Sequence, residues 1–149
     1  MVKKNIILLS LILLLNSCGF SPIYLKSNDV NFSIQQINFI GDRELNNFLK
    51  IDLNRYTNDK TNNKIFIEAK SDYKKIILSK DGTGEVTNYQ LEAEVIFLIK
   101  STNRKIIIVE KKIMESMADK FEETKYEKTI KQSFASSITN KLISKLIVN

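Results

Sequence analysis

A period-two alternation between residues 88 and 99 constrains the fold of this chain more than any other feature. In the segment NYQLEAEVIFLI, apolar side chains occupy the odd positions from Tyr89 to Ile99, and polar side chains occupy the even positions as far as Glu94. The polar positions are Asn88, Gln90, Glu92 and Glu94. Because successive side chains of a strand point to opposite faces of a sheet, the pattern predicts a strand with one buried face and one wet face.

The even positions of this strand turn apolar at Ile96 and Leu98. An apolar second face at one end of a strand has two explanations: burial in the domain's own core, or cover by a partner. The sequence favours burial in the domain's own core and leaves the partner open.

Three other segments have strand character. The segment FSIQQINFI, residues 32–40, is rich in β-branched and aromatic residues and predicts a first strand. Strands are also predicted at about residues 64–79 and 105–116, on either side of the alternating strand at about 86–100. The turn segments DGTG (81–84) and STN (101–103) have hairpin lengths, so the last three strands should form an antiparallel meander.

Two segments carry helical periodicity. The first follows Asp42, a good N-cap residue, and places Leu45, Phe48, Leu49, Leu53 and Tyr56 on one face. The second begins at about Glu123, and from Tyr126 to Leu146 an apolar residue recurs every four positions. Within it, Glu127 and Lys131 are spaced as an i,i+4 ion pair.

The order strand, helix, three strands, helix predicts an α+β fold. Two helices with one apolar stripe each and a sheet with one apolar face satisfy one another as a two-layer sandwich, with a four-stranded, mostly antiparallel sheet and both helices on one face. Residues 32–149 have the length of a single domain.

The N-terminus predicts an export signal. Lys3 and Lys4 precede an apolar run at residues 6–15, which is half the length that a membrane-spanning helix needs, about 20 residues. Leu15-Asn16-Ser17-Cys18 then resembles a bacterial lipobox. The prediction is a signal peptide at residues 1–17, a lipidated Cys18 and a tether over residues 18–31; the alternative is an ordinary signal peptide with a buried cysteine. Gly19 stands where aspartate commonly signals retention in the inner membrane, so the expected address is the periplasmic face of the outer membrane.

Composition argues against catalysis. The chain has no histidine and a single cysteine, which excludes Ser-His and Cys-His nucleophilic sites and the usual zinc sites. The sequence predicts neither an enzyme nor a cofactor other than the lipid on Cys18, and an enzyme that works through carboxylates alone is the alternative. The formal net charge is +6, but lysines alternate with acidic residues, and an exported chain of this kind is not expected to bind nucleic acid.

Several segments together resemble the LPS-assembly lipoprotein family, LptE. The segment CGFSPIY resembles the mature N-terminus of that family, and GDRELNNFLKIDLNRY resembles its first helix. The segment GEVTNYQLEAEVIFLI resembles the strand that a tyrosine introduces, and ITNKLISKLI resembles the closing helix. The order of these segments behind a lipobox carries the resemblance over nearly all of the mature chain.

The resemblance implies a function and partners. Family members sit in the lumen of the outer-membrane β-barrel LptD, help it to assemble and assist delivery of lipopolysaccharide to the outer leaflet. The positions that match the family's lipopolysaccharide-facing basic residues are Lys80 and Lys120, and Arg104 is a further candidate. The alternative is an accessory lipoprotein of another outer-membrane complex, or a binder of cell-wall polymer.

Overall fold

The computed structural model describes residues 30–57 and 61–147. Cys18, the predicted signal peptide and most of the predicted tether lie outside the described residues. The elements in chain order are β1 (Ser33–Gly41), α1 (Arg43–Leu53), β2 (Lys64–Lys80), β3 (Val86–Ile99), β4 (Arg104–Glu115) and α2 (Lys120–Ile147). A short 3-10 turn, Asn54–Tyr56, extends α1.

The four strands form one sheet in the order β1-β2-β3-β4. β1 pairs with β2 in parallel, with α1 as the crossover between them, and β2, β3 and β4 form an antiparallel meander. Both helices contribute residues to one core with the sheet. The predicted α+β fold, with its strand, helix, three strands, helix order, is confirmed.

The alternation in β3 places this strand in the middle of the core. Leu91, Ala93, Val95 and Phe97 are completely buried beneath the helices. Apolar burial of this kind contributes about 25 cal/mol for each Å² removed from water, so β3 holds the two layers together.

α1 begins where β1 ends. The Asp42 carboxylate accepts a hydrogen bond from the Leu45 amide at 2.7 Å, which confirms the predicted N-cap. Leu45, Leu49 and Leu53 are completely buried on the face that the periodicity predicted. Gly41 precedes the cap with a φ of 109°, and a Cβ at this position would overlap the carbonyl oxygen of Ser71.

α2 begins three residues earlier than predicted. The Asp119 carboxylate accepts a hydrogen bond from the Phe121 amide at 2.8 Å and so caps the helix ahead of Lys120. The core residues of α2 are Ile130, Phe134, Ala135, Ile138, Leu142 and Ile143. Within the described ranges, neither helix combines the length and apolarity that crossing a membrane requires.

Burial of Ile96 and Leu98 in the domain's own core was the wrong expectation. Both residues lie on the side of the sheet opposite the helices and are only partly buried. Ile96 pairs across the strands with Ile107, which is 50% exposed. The reason is that both helices pack on the other face, and no element of the described chain covers this one.

Candidate functional site

The sheet separates the predicted site residues into two groups. Lys80 is the last residue of β2, and Lys120 is the first residue of α2. Both lie at the end of the sheet where the Asp81–Glu85 turn joins β2 to β3, which we call the hairpin end. Arg104 begins β4 at the opposite end, where its guanidinium donates to the carbonyl oxygen of Lys145 at 3.3 Å. The structure therefore brings Lys80 and Lys120 to one end of the molecule and places Arg104 at the other.

The hairpin end is organised by Asp81. Its carboxylate accepts hydrogen bonds from the Thr83 hydroxyl at 2.7 Å and from the Thr83 and Glu85 amides at 2.9 Å each. The hydrogen bond from the Thr83 hydroxyl, followed by those from the amides, lowers the pKa of the Asp81 carboxyl. Gly84 supplies the positive φ of the turn, 90°. The turn is thus fixed by its own side chains and presents a carboxylate next to Lys80.

A hollow of about 850 Å³ lies between this turn and the start of α2. Its lining residues include the acidic residues Asp81, Glu85 and Glu115 as well as Lys120. These carboxylates offset the charge of Lys120 within the hollow, so an anion would be attracted here less strongly than the lysine alone suggests.

Lys120 also has a protein partner. Its ammonium group lies 2.9 Å from a carboxylate oxygen of Glu123 and 3.1 Å from the Ser116 hydroxyl oxygen. The side chain of Lys120 is still 66% exposed, whereas that of Glu123 is 6% exposed. Contact of Lys80 and Lys120 with lipopolysaccharide therefore stays a prediction, and for Lys120 such a contact would compete with Glu123.

Glu123 is the centre of a charged cluster beneath the first turns of α2. Its carboxylate accepts hydrogen bonds from the Met117 amide at 2.9 Å, from Lys75 at 3.0 Å and from the Ser116 hydroxyl at 3.2 Å. Burial by itself would raise the pKa of this carboxyl. The Met117 amide, Lys120 and Lys75 outweigh burial and lower the pKa from 4.5 to about 2. Glu123 is therefore charged at every physiological pH.

The cluster continues along α2 over the core face of β2. Glu127 accepts hydrogen bonds from the Tyr73 hydroxyl and from Lys75, each at 2.9 Å. Burial, followed by the hydrogen bond to Glu127, raises the pKa of the Tyr73 hydroxyl. Lys131 lies 4.0 Å from the centre of the Tyr73 ring and 3.0 Å from a carboxylate oxygen of Glu44 in α1.

These contacts replace the predicted ion pair between Glu127 and Lys131. Each of the two residues has a partner on another element instead: Glu127 on β2 and Lys131 on α1. The i,i+4 spacing does place Glu127 and Lys131 near each other on the helix. Both side chains face the rest of the protein, however, where Glu127 pairs with Lys75 and Lys131 pairs with Glu44.

The face of the sheet opposite the helices, which we call the open face, carries the predicted polar side chains of β3. Asn88 and Gln90 are partly buried there, and Glu92 pairs with Lys111 of β4 at 2.9 Å. Across β2, Lys74 lies 3.0 Å from Asp72. This part of the open face combines paired charges with two exposed isoleucines, Ile76 and Ile113, which flank Gln90. Its charged groups suit a partner with a polar surface.

In the ranges 30–57 and 61–147, no group of three or more acidic, histidine or cysteine side chains is arranged to hold a metal ion. The most deeply buried carboxylate, Glu123, already has basic partners on both oxygens. Its contacts make it a structural residue in the α2 interface.

Solved structures of bacterial lipoproteins share this fold. Rare lipoprotein B from Shewanella oneidensis superposes with a TM-score of 0.54 at 12% identity, covering 74% of this chain and 92% of that one. A lipoprotein B from Nitrosomonas europaea, described as uncharacterized, gives a TM-score of 0.55 at 14% identity and covers 78% and 83%. A minor lipoprotein from Acinetobacter baumannii gives 0.50 at 14% identity and covers 74% and 94%.

At these identities the likeness concerns the fold. No family model matches the chain, and no curated protein matches it in sequence. The chain thus has the architecture of several bacterial lipoproteins, over 83% to 94% of the length of each of them.

Proposed function

We propose that this protein is a lipid-anchored lipoprotein of the outer membrane that occupies the lumen of an LptD-like β-barrel, helps the barrel to assemble and assists delivery of lipopolysaccharide to the outer leaflet. The observation that carries the proposal is the shared fold: the domain that follows the lipobox-like segment at Cys18 has the architecture of rare lipoprotein B. The lipid on Cys18 attaches the domain to the membrane.

The polar part of the open face is the surface that we propose lies against the barrel wall. The inner walls of such barrels are polar, so a matching surface is hydrophilic and gains its affinity from area and paired charges. Gln90, Glu92 and Glu94 present such a surface on β3, at the centre of the sheet.

Lys80 and Lys120 are the proposed contacts for the phosphate groups of lipopolysaccharide. Both are exposed at the hairpin end, where ammonium groups can bind anions without deep desolvation. Arg104 is at the opposite end of the sheet and would belong to a separate contact.

A pull-down in mild detergent tests the proposal. The tagged, lipidated protein is isolated from outer membranes, and the accompanying proteins and glycolipids are identified by mass spectrometry. We expect a large β-barrel at a ratio near one to one, together with lipopolysaccharide. Recovery with a different membrane complex, with cell-wall polymer or without any partner would contradict the barrel role and leave the accessory lipoprotein as the function.

A further inference from the structure

The open face is divided along its strands into two unlike halves. The half that includes the start of β2 and the start of β4, which we call the tether half, carries exposed apolar side chains. Ile40 is 65% exposed, Phe66 is 45% exposed and Ile107 is 50% exposed. The register places Ile40 and Ile107 in one row across the sheet, because Ile40 pairs with Lys70, Lys70 with Ile96, and Ile96 with Ile107.

Lysines surround these apolar side chains. Lys64 starts β2, Lys105 pairs with Leu98, and the Lys100 amide bonds to the Phe66 carbonyl, so all three lie at the same end as Phe66. The Lys100 side chain pairs with Glu68 at 2.6 Å, and Lys64 and Lys105 are both exposed. Exposed lysines around apolar side chains are what an anionic lipid surface recognises.

The other half of the open face also has exposed apolar side chains, among them Ile76 and Ile113, but its charge is opposite. Its carboxylates are Asp72, Glu92, Glu94 and Glu115. Its lysines, Lys74 and Lys111, each pair with one of these carboxylates. The charge of the open face is therefore positive in the tether half and negative in the other half.

The segment that follows the predicted lipid anchor enters the domain at the end of the sheet where the tether half lies. β1 and β2 run in parallel and Ser33 pairs with Lys64, so the start of β1 lies beside the start of β2. Residues 19–29 separate Cys18 from Val30 and can span at most about 40 Å when fully extended. A lipid on Cys18 would hold this end of the domain near the membrane and give the tether half a high effective concentration at its surface.

We propose that the tether half of the open face lies on the anionic phospholipid headgroups of the membrane that holds the lipid anchor. The lysines face the phosphates, and Phe66 and Ile107 enter the boundary between headgroups and acyl chains. This inference rests on the proposed lipidation of Cys18. It fixes the orientation of the domain, because the other half of the open face and the hairpin end then lie farther from that surface than the tether half does.

Two single-cysteine variants of the lipidated full chain test the proposal. Ile107→Cys lies in the tether half, and Ile113→Cys lies on the same strand and face in the other half, where Ile113 is 63% exposed. Because Cys18 is acylated, an environment-sensitive fluorophore reacts with the introduced thiol. On phosphatidylcholine vesicles that contain phosphatidylglycerol, we expect a blue shift at position 107 and an emission at position 113 like that in water. High salt should reverse the shift.

Two double variants test which lysines of the open face contact the membrane. Lys64→Gln combined with Lys105→Gln should abolish the blue shift at position 107, because two exposed cations of the tether half are removed. Lys74→Gln combined with Lys111→Gln removes the same charge from the same strands and face in the other half, and should leave the shift unchanged.

The outcomes separate this inference from the proposed function. Co-flotation of the protein with vesicles and equal emission at positions 107 and 113 would overturn the orientation and leave the lipid anchor standing. Failure to float with any vesicle would overturn the anchor and the inference together. A shift at position 107 with lipopolysaccharide micelles but not with phosphatidylglycerol would assign the surface to the glycolipid and overturn the phospholipid assignment.

Discussion

The ammonium group of Lys75 lies 3.0 Å from one carboxylate oxygen of Glu123 and joins β2 to the first turn of α2. The two residues are 48 positions apart in the chain. β1 ends opposite Ser71, so at Lys75 the strand β2 has lost its outer neighbour and α2 takes part in holding it. The Glu123 cluster therefore stabilises the arm of the sheet that carries the hairpin end.

Glu123→Gln should lower the free energy of unfolding by about 2 kcal/mol. The variant removes one of the two carboxylate charges that pair with Lys75 and leaves the other hydrogen-bonding groups of the cluster mismatched. Urea unfolding at neutral pH measures the change. Glu122→Gln is the matched control, since Glu122 is 53% exposed and its nearest lysine, Lys125, is 3.5 Å away. Equal losses in the two variants would show that the buried cluster adds nothing beyond a surface charge.

The contribution of Glu123 should depend on pH in a stated direction. A carboxyl whose pKa is lowered in the folded protein contributes stability above its unfolded pKa, and this contribution is lost as the pH falls through the folded pKa. For Glu123 the window runs from 4.5 down to about 2. The difference in unfolding free energy between the wild type and Glu123→Gln should be constant above about pH 5 and should narrow between pH 4.5 and 2. A difference that grows in acid would contradict the assignment.

The elements that sequence predicted well are those whose pattern is local. The alternation in β3 and the Asp42 cap each lie within one element, and both were found as predicted. The start of α2 was missed because the residues around Lys120 carry no apolar stripe, although Asp119 followed by Glu122 is a recognisable capping pattern.

The charged cluster was harder to predict because the contacts of Glu123 and Glu127 with β2 join residues that are distant in sequence. Nothing local marks Glu123 as buried: a carboxylate in a charged helix start usually faces water. Its partner Lys75 is 48 positions away, and only the strand register brings it beneath α2. Likewise, the sequence could not place Ile96 and Leu98, because an apolar side chain on a second sheet face does not reveal whether a helix covers it.

Gly41→Ala should destabilise the domain by at least about 3 kcal/mol, because the residue has a φ of 109° and a Cβ would overlap the Ser71 carbonyl. Gly82→Ala is the matched control: a Cβ at Gly82 meets nothing within 4 Å. Thermal unfolding of the two variants should separate them clearly. A tolerated alanine at position 41 would mean that β1 and β2 do not approach each other as described.

Gln90→Arg should weaken association with the barrel by at least about tenfold, which corresponds to about 1.4 kcal/mol. Gln90 lies on the open face of the central strand β3, between Ile76 and Ile113, so a longer charged side chain there would separate the sheet from a closely matched wall. Asn47→Arg places the same side chain on the exposed side of α1 and should co-purify with the barrel normally. If the Asn47 variant loses the barrel and the Gln90 variant keeps it, the helices form the docking surface.

Cys18→Ala should leave the domain folded and release it from the membrane. The core of the described domain begins at Val30, and the thioether-linked diacylglycerol and the N-acyl chain that Cys18 would carry are sufficient for stable attachment by themselves. Fractionation of cells that lack the barrel measures the release, because barrel binding would otherwise retain the protein. Ser10→Ala, which changes the apolar run and keeps the lipobox-like segment, should stay in the membrane fraction.

The orientation proposed for the tether half predicts weak residual binding of the Cys18→Ala protein. A minor part of this protein should remain on anionic membranes at low salt and leave them at high salt. Retention of this variant at high salt would contradict the lipid anchor, since charge alone cannot hold the domain there.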